Sequence, residues 1–328
     1  MTCDNRSEYN ESTMASGKKR LCWPLAAGLG AVLGVWAASR HQQERSRARS
    51  RLRENSLLID TARGVVETAR RGAGPTVLVL HGAAGGYDMG LALRPHSRSF
   101  QTLSISRPGY LRTPLSAGRT AGEQADLTAA LLDALELDQV AVMGASAGGP
   151  SAIEFALRYP QRCWALVLVS AINGPIPALV SLAQRLKPLL RFMDLPVWVL
   201  MQLPLMPILH GPALAEQLRM SPLERDSLRA LIRTVYPISE RIDGLLNDLQ
   251  QNHVSQGHAL EDIRSPTLVM HGDADRGVPF AHGLESAQRI PHAETLFVPE
   301  GSHMSFITHA PRIQPTLLDF LARHAPSR

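Results

Sequence analysis

The chain has 328 residues, 45% of them hydrophobic and 19% charged, which is enough for one large α/β domain or two smaller ones. Three cysteines, Cys3, Cys22 and Cys163, are too few and too scattered for a disulfide framework or a zinc site. The formal net charge of +5 sits mostly before residue 54, so it describes the N-terminal segment and not a substrate of the main domain.

Residues 1–20 read as a tail. Leu21 to Ser39, LCWPLAAGLGAVLGVWAAS, carries no charge and has the length of a helix that crosses a bilayer. Lys18, Lys19 and Arg20 precede it. Arg40, Arg45, Arg47, Arg49, Arg51 and Arg53 follow it in a basic linker, residues 40–55. The expectation is a single N-terminal transmembrane helix, retained as an anchor in a bacterial inner membrane. A signal peptide cleaved near Ala37 and Ala38 is the alternative. The run is long for a signal core, however, and arginines directly behind it resist export. The loop-charge bias favours a cytoplasmic main domain. The arginine run has no interleaved aromatics for base stacking, so its expected partner is the anionic lipid surface and not nucleic acid.

From Leu57 short apolar runs alternate with helix-like stretches. LLIDTARG and VVETARRG read as two strands joined by a turn at Gly64. TVLVLHG is apolar on both faces, as a buried parallel strand must be. TLSISRPGY is a further strand and turn. Ala121 to Leu135 has helical spacing, with Leu127, Leu131, Leu132 and Leu135 on one side. AVMGAS is a strand, GGPSAIEFALRYP a helix and ALVLVSA a strand. This alternation predicts a mostly parallel sheet covered on both faces. The core is therefore expected over residues 56–173 and 263–328. Residues 174–262, rich in Leu, Met and Pro, break the rhythm and read as a helical lid inserted between strands. The sheet resumes with SPTLVMHG and AETLFVPE, and a helix near Ile313 to Arg323 closes the chain.

Ser146 stands at the centre of Gly144-Ala145-Ser146-Ala147-Gly148, after a strand and before a helix. In that context G-x-S-x-G is a nucleophile elbow. The following helix points its free N–H groups at the serine, where they stabilise a developing oxyanion. The Ala147 N–H is the expected first donor. The second is the N–H of Ala83, in His81-Gly82-Ala83-Ala84-Gly85-Gly86. His81 is expected to support that loop. A serine hydroxyl needs a base, and His303 follows the AETLFVP strand at the same sheet edge. The base needs a carboxylate, and Asp273 and Asp275 follow the preceding strand. The loop after ALVLVSA, another usual place for the acid, offers only Asn173. No His/Asp/Glu cluster has metal-ligand spacing, and no cofactor is expected.

LVLHGAAGG, SRPGYLRTP, MGASAGG, LVMHGDADRGVP and PEGSHMSF together resemble the α/β-hydrolase fold superfamily, from about Leu57 to the C terminus. The similarity is greatest to its bacterial esterase, lipase and cofactor-free haloperoxidase-like branch with a helical lid. The resemblance implies that the aspartate preceding x-x-V-P, here Asp275, is the acid, with Asp273 a loop residue. It implies His303 as base, although the fragment is P-E-G-S-H in place of G-x-x-H. Ser106-Arg107 departs from the family, in which that strand often ends in Asp. The implied activity is hydrolysis of a small, fairly apolar carboxylic ester through an acyl-enzyme. The alternatives are thioesterase, acyltransferase, C–C hydrolase or perhydrolase chemistry, or a non-catalytic binding module. A serine nucleophile argues against haloalkane dehalogenase and epoxide hydrolase chemistry.

Overall fold

A computed structural model of the chain describes residues 14–176, 187–190, 192–202, 220–254 and 257–326, with side chains from Gly34 onward. The chain forms two compact units, one up to Arg47 and one from Ala48 to Arg328. A helix, α1 (Met14–Glu54), begins in the first and ends in the second. The uncharged run Leu21–Ser39 falls inside α1, with most of its side chains outside the described residues. Among the described residues no helix is long and apolar enough to cross a membrane. The expected transmembrane helix therefore rests on sequence alone. Residues 40–55, expected as a linker, are helical through Glu54. Ala48 and Leu52, one turn apart, explain this: in the second unit Ala48 packs with Trp198 and Tyr236, and Leu52 with Ala69 and Tyr87.

The second unit is built on a sheet with strands β1 (Leu57–Thr61), β2 (Gly64–Arg71), β3 (Thr76–Leu80), β4 (Gln101–Ile105), β5 (Val140–Ala145), β6 (Cys163–Val169), β7 (Thr267–Gly272) and β8 (Glu294–Val298). Their order is β1-β2-β4-β3-β5-β6-β7-β8. β1 and β2 form the expected hairpin, and β2 pairs antiparallel with β4. The remaining pairs are parallel. Every residue of β3, β5, β6 and β7 is buried, so these runs are apolar on both faces. The two-residue period separates the faces. Val77, Val79, Met143, Val167 and Met270 enter one core with Leu317 and Phe320. Leu78, Leu80, Val142, Leu166 and Leu168 enter the other with Leu131 and Phe155.

The helices covering the sheet are α2 (Tyr87–Ala92), α3 (Ala121–Ala134), α4 (Gly149–Arg158), α9 (Phe280–Arg289), α10 (Ser305–Thr308) and α11 (Ala310–His324). A capping box between Thr120 and Glu123 fixes the start of α3. Between the neighbouring strands β6 and β7 lie α5 (Lys187–Leu190), α6 (Asp194–Gln202), α7 (Pro222–Arg233) and α8 (Ile242–Val254). No strand occurs there among the described residues. Residues 177–186, 191, 203–219 and 255–256 of the expected lid lie outside them. This helical insertion leaves the sheet at the carboxyl end of β6, beside the end of β5 where Ser146 sits.

Candidate active site

Ser146 follows β5 directly and has φ +50°, a left-handed conformation that a serine adopts only under constraint. The flanking glycines show the constraint. A Cβ on Gly144 would lie 2.6 Å from the Ala152 Cβ, and one on Gly148 would run into the Leu80 and His81 carbonyls. The chain therefore turns sharply enough to lift Oγ clear of the strand. Ser146 to Gly148 form a single 3₁₀ turn that leads into α4. The Ser146 carbonyl accepts the Ile172 N–H at 3.0 Å. Ala147, Ile172 and Val278 make an apolar cluster beside the serine.

Three loops at one sheet edge bring the expected residues together. His303 Nε2 lies 3.1 Å from Ser146 Oγ, and His303 Nδ1 lies 2.7 Å from Asp275 Oδ2. An ionised carboxylate only accepts, so Nδ1 carries the proton and Nε2 offers its lone pair to the serine hydroxyl. Asp275 Oδ1 accepts the Gly277 and Val278 N–H groups at 2.7 and 2.9 Å. Burial by itself would raise the Asp275 carboxyl. Hydrogen bonds from His271 and His303 outweigh it and hold the group well below the usual carboxylate range. Asp273 is exposed and contributes its N–H to the Val298 carbonyl. The geometry thus selects Asp275 between the two aspartates. Gly277 packs on the imidazole face, where a Cβ would come within 3.0 Å of His303 Cγ.

Ala147, one expected oxyanion donor, is buried in the turn after the serine. Ala83, the other, is exposed and follows Gly82, where a Cβ would lie 3.2 Å from Ser146 Cβ. His81 supports this loop as expected. It is fully buried, and burial, with the Arg107 guanidinium nearby, holds its imidazole well below the usual range. The neutral ring donates from Nδ1 to the Gly82 carbonyl at 2.7 Å and accepts the Arg107 N–H on Nε2 at 3.0 Å. Among the described residues no group of three His, Cys, Asp or Glu side chains could hold a metal ion.

Several residues behind the site have partners that the sequence motifs do not announce. Arg107, where the family often has an aspartate one residue earlier, is fully buried. Its Nε donates to the His81 carbonyl at 2.9 Å, and its two terminal nitrogens clasp Asp248 of α8. The Tyr110 hydroxyl donates to the same carboxylate. Arg241, also fully buried, binds Asp88 and the Gly85 carbonyl. Both ends of the loop around Ala83 are therefore tied to the helical insertion. Asp248 stands 141 residues after Arg107, and no local pattern announces the pair.

Removing one partner of a buried pair strands the other charge, so Arg107→Met is expected to lower stability to urea by about 3–5 kcal/mol. Adding Asp248→Leu should restore a large part of the loss. Equal instability of the single and double variants would show that the pair is not what holds α8 to the loop.

The profile of the alpha/beta hydrolase fold family matches residues 75–310. A 2-hydroxymuconate semialdehyde hydrolase of Pseudomonas putida is 28% identical over 267 residues, covering 77% of this chain and 89% of its own. A poly(3-hydroxyalkanoate) depolymerase of Ectopseudomonas oleovorans is 30% identical over 203 residues, 60% of this chain and 66% of its own. Among solved structures, an alpha/beta hydrolase fold protein from Nakamurella multipartita superposes with a TM-score of 0.68 at 30% identity, covering 81% of this chain and 98% of that one. The sheet order, the elbow at Ser146 and this match over most of the chain agree, and the chain belongs to the alpha/beta hydrolase fold family.

Proposed function

We propose that the chain is a serine hydrolase that opens a bond beside a carbonyl through an acyl intermediate on Ser146. The observation that carries the reading is the line Ser146 Oγ, His303, Asp275, with spacings of 3.1 and 2.7 Å. Ser146 attacks the carbonyl carbon while its proton passes to His303 Nε2, and Asp275 stabilises the imidazolium. Charge developing on the carbonyl oxygen meets the Ala147 and Ala83 N–H groups. Collapse expels the leaving group, which gains a proton. Water activated by His303 then adds to the acyl carbon and releases the acid and Ser146.

Two substrate classes fit this chemistry. The first is a carbon–carbon bond next to an aldehyde or ketone carbonyl, a class to which the semialdehyde in the name of the Pseudomonas putida relative belongs. That relative aligns over 77% of the chain, which supports this class more than the carboxylic ester expected from the motifs. The ester is the second reading, supported by the depolymerase, whose named polymer is built of hydroxy acids. The apolar cluster of Ala147, Ile172 and Val278 suits an apolar flank in either.

The test sets 2-hydroxymuconate semialdehyde beside p-nitrophenyl butyrate, with the full chain and its Ser146→Ala variant. Turnover is expected on the first in preference to the second, with kcat/KM at least about 1,000-fold lower in the variant. Turnover of the ester alone would make the second reading the right one. A folded protein that turns over neither and takes no fluorophosphonate label would refute the serine mechanism.

We further propose that Leu21–Ser39 anchors the chain in a membrane with the hydrolase unit on the cytoplasmic side, on the strength of its uncharged length and the arginines that follow it. Full-length protein in a bacterial host should stay with membranes through an alkaline carbonate wash and resist protease added to spheroplasts. Recovery in the soluble fraction would contradict the anchor.

A further inference from the structure

We infer that His271 is a positioning residue for the active site, a second imidazole donor on the Asp275 carboxylate that limits how strongly this carboxylate holds a proton on His303. The inference rests on the reading of Ser146, His303 and Asp275 as a triad.

His271 is the penultimate residue of β7 and is 2% exposed. Its Nε2 lies 3.2 Å from Asp275 Oδ2 and 3.1 Å from the Val278 carbonyl. Both neighbours are acceptors, so Nε2 carries the hydrogen. Nδ1 is buried and has no partner among the described residues. A proton there would have no acceptor, so the neutral Nε2–H tautomer is the one the surroundings satisfy. Close packing keeps the ring in place. A Cβ on Gly283 of α9 would lie 2.6 Å from Nδ1, and the Phe280 ring stands edge-on at 5.8 Å.

Asp275 Oδ2 therefore accepts from His303 Nδ1 at 2.7 Å and also lies 3.2 Å from His271 Nε2, whose one hydrogen is hydrogen-bonded to the Val278 carbonyl and stands between the two oxygens. Oδ1 takes two backbone N–H groups. Each donor draws negative charge from the carboxylate and leaves less for the cationic form of His303. Catalysis needs His303 neutral in the resting enzyme. Removing the His271 donor leaves more charge facing His303, stabilises its cation and moves the acid limb of activity to higher pH.

Other ionisable groups surround the pair without taking this role. From the loop after β7, Asp273 and Arg276 are exposed. From α9, His282 and Glu285 are engaged with Asn173. From the loop after β8, Glu300 is exposed. Ser146 faces the opposite nitrogen of His303.

The test follows the rate of inactivation of the full chain by diisopropyl fluorophosphonate across pH, which reads the activated serine without needing the substrate. Three variants are compared with the wild type. His271→Leu and His271→Met both remove the donor, and Met also serves if Leu does not fold. His271→Gln places an amide N–H near the former Nε2. The donor-less variants should move the acid midpoint up by about 0.5–1 pH unit, with an alkaline plateau within a few-fold of wild type. Gln should return the midpoint towards wild type. A folded donor-less variant with a wild-type midpoint, whatever its plateau, overturns the inference and leaves the triad standing. A wild-type chain that takes no label, or a Ser146→Ala variant labelled equally fast, overturns the inference together with the triad reading.

Discussion

The turn at Ser146 holds a left-handed backbone, φ +50°, because no relaxed alternative fits between β5 and α4. Ala152 presses against Gly144, and the Leu80 and His81 carbonyls press against Gly148. A strained residue of this kind costs about 1–3 kcal/mol and survives only where its surroundings over-determine it. Here four fully buried parallel strands supply that rigidity. The consequences radiate from this turn. It exposes Oγ at the carboxyl edge of the sheet and fixes the point that the loops after β7 and β8 must reach.

Two buried carboxylates then divide the work of holding that edge together. Asp275 sits under the histidine, accepts from its own loop and from His303, and has His271 Nε2 at 3.2 Å. Asp248 sits under the loop that includes Ala83 and binds Arg107 and Tyr110. The first holds His303 toward Ser146, and the second connects the helical insertion to the loop that includes Ala83. α8 is thereby part of the scaffold. Any movement of the insertion that uncovers the serine must leave α8 in place or break a doubly hydrogen-bonded pair in the interior.

Much of this was legible in the sequence because it is written in local patterns. Strands apolar on both faces announced the parallel core, and small residues around Ser146 announced the elbow. Chain order placed Asp275 and His303 at the right edge. The choice between Asp273 and Asp275 came from the family pattern, and geometry supports it: Asp275 turns inward onto its own backbone while Asp273 stays in solvent. What the sequence hid depends on distant pairs. Arg107 drew notice only as a departure from the family, since its partner lies within the insertion, 141 residues on. His271 reads as an ordinary strand residue until the loop after it folds back. Residues 40–55 looked like a basic linker because arginine dominates their composition. The two apolar residues that pack, Ala48 and Leu52, are too few to form a recognisable stripe.

The most direct test of the central claim is to quench the full chain with acid during turnover and map the covalent adduct by peptide mass spectrometry. The account predicts an added acyl mass on the peptide containing Ser146, absent from the Ser146→Ala variant. Turnover with no adduct on that peptide at any quench time, together with an adduct on another residue or undiminished activity in Ser146→Ala, would contradict it.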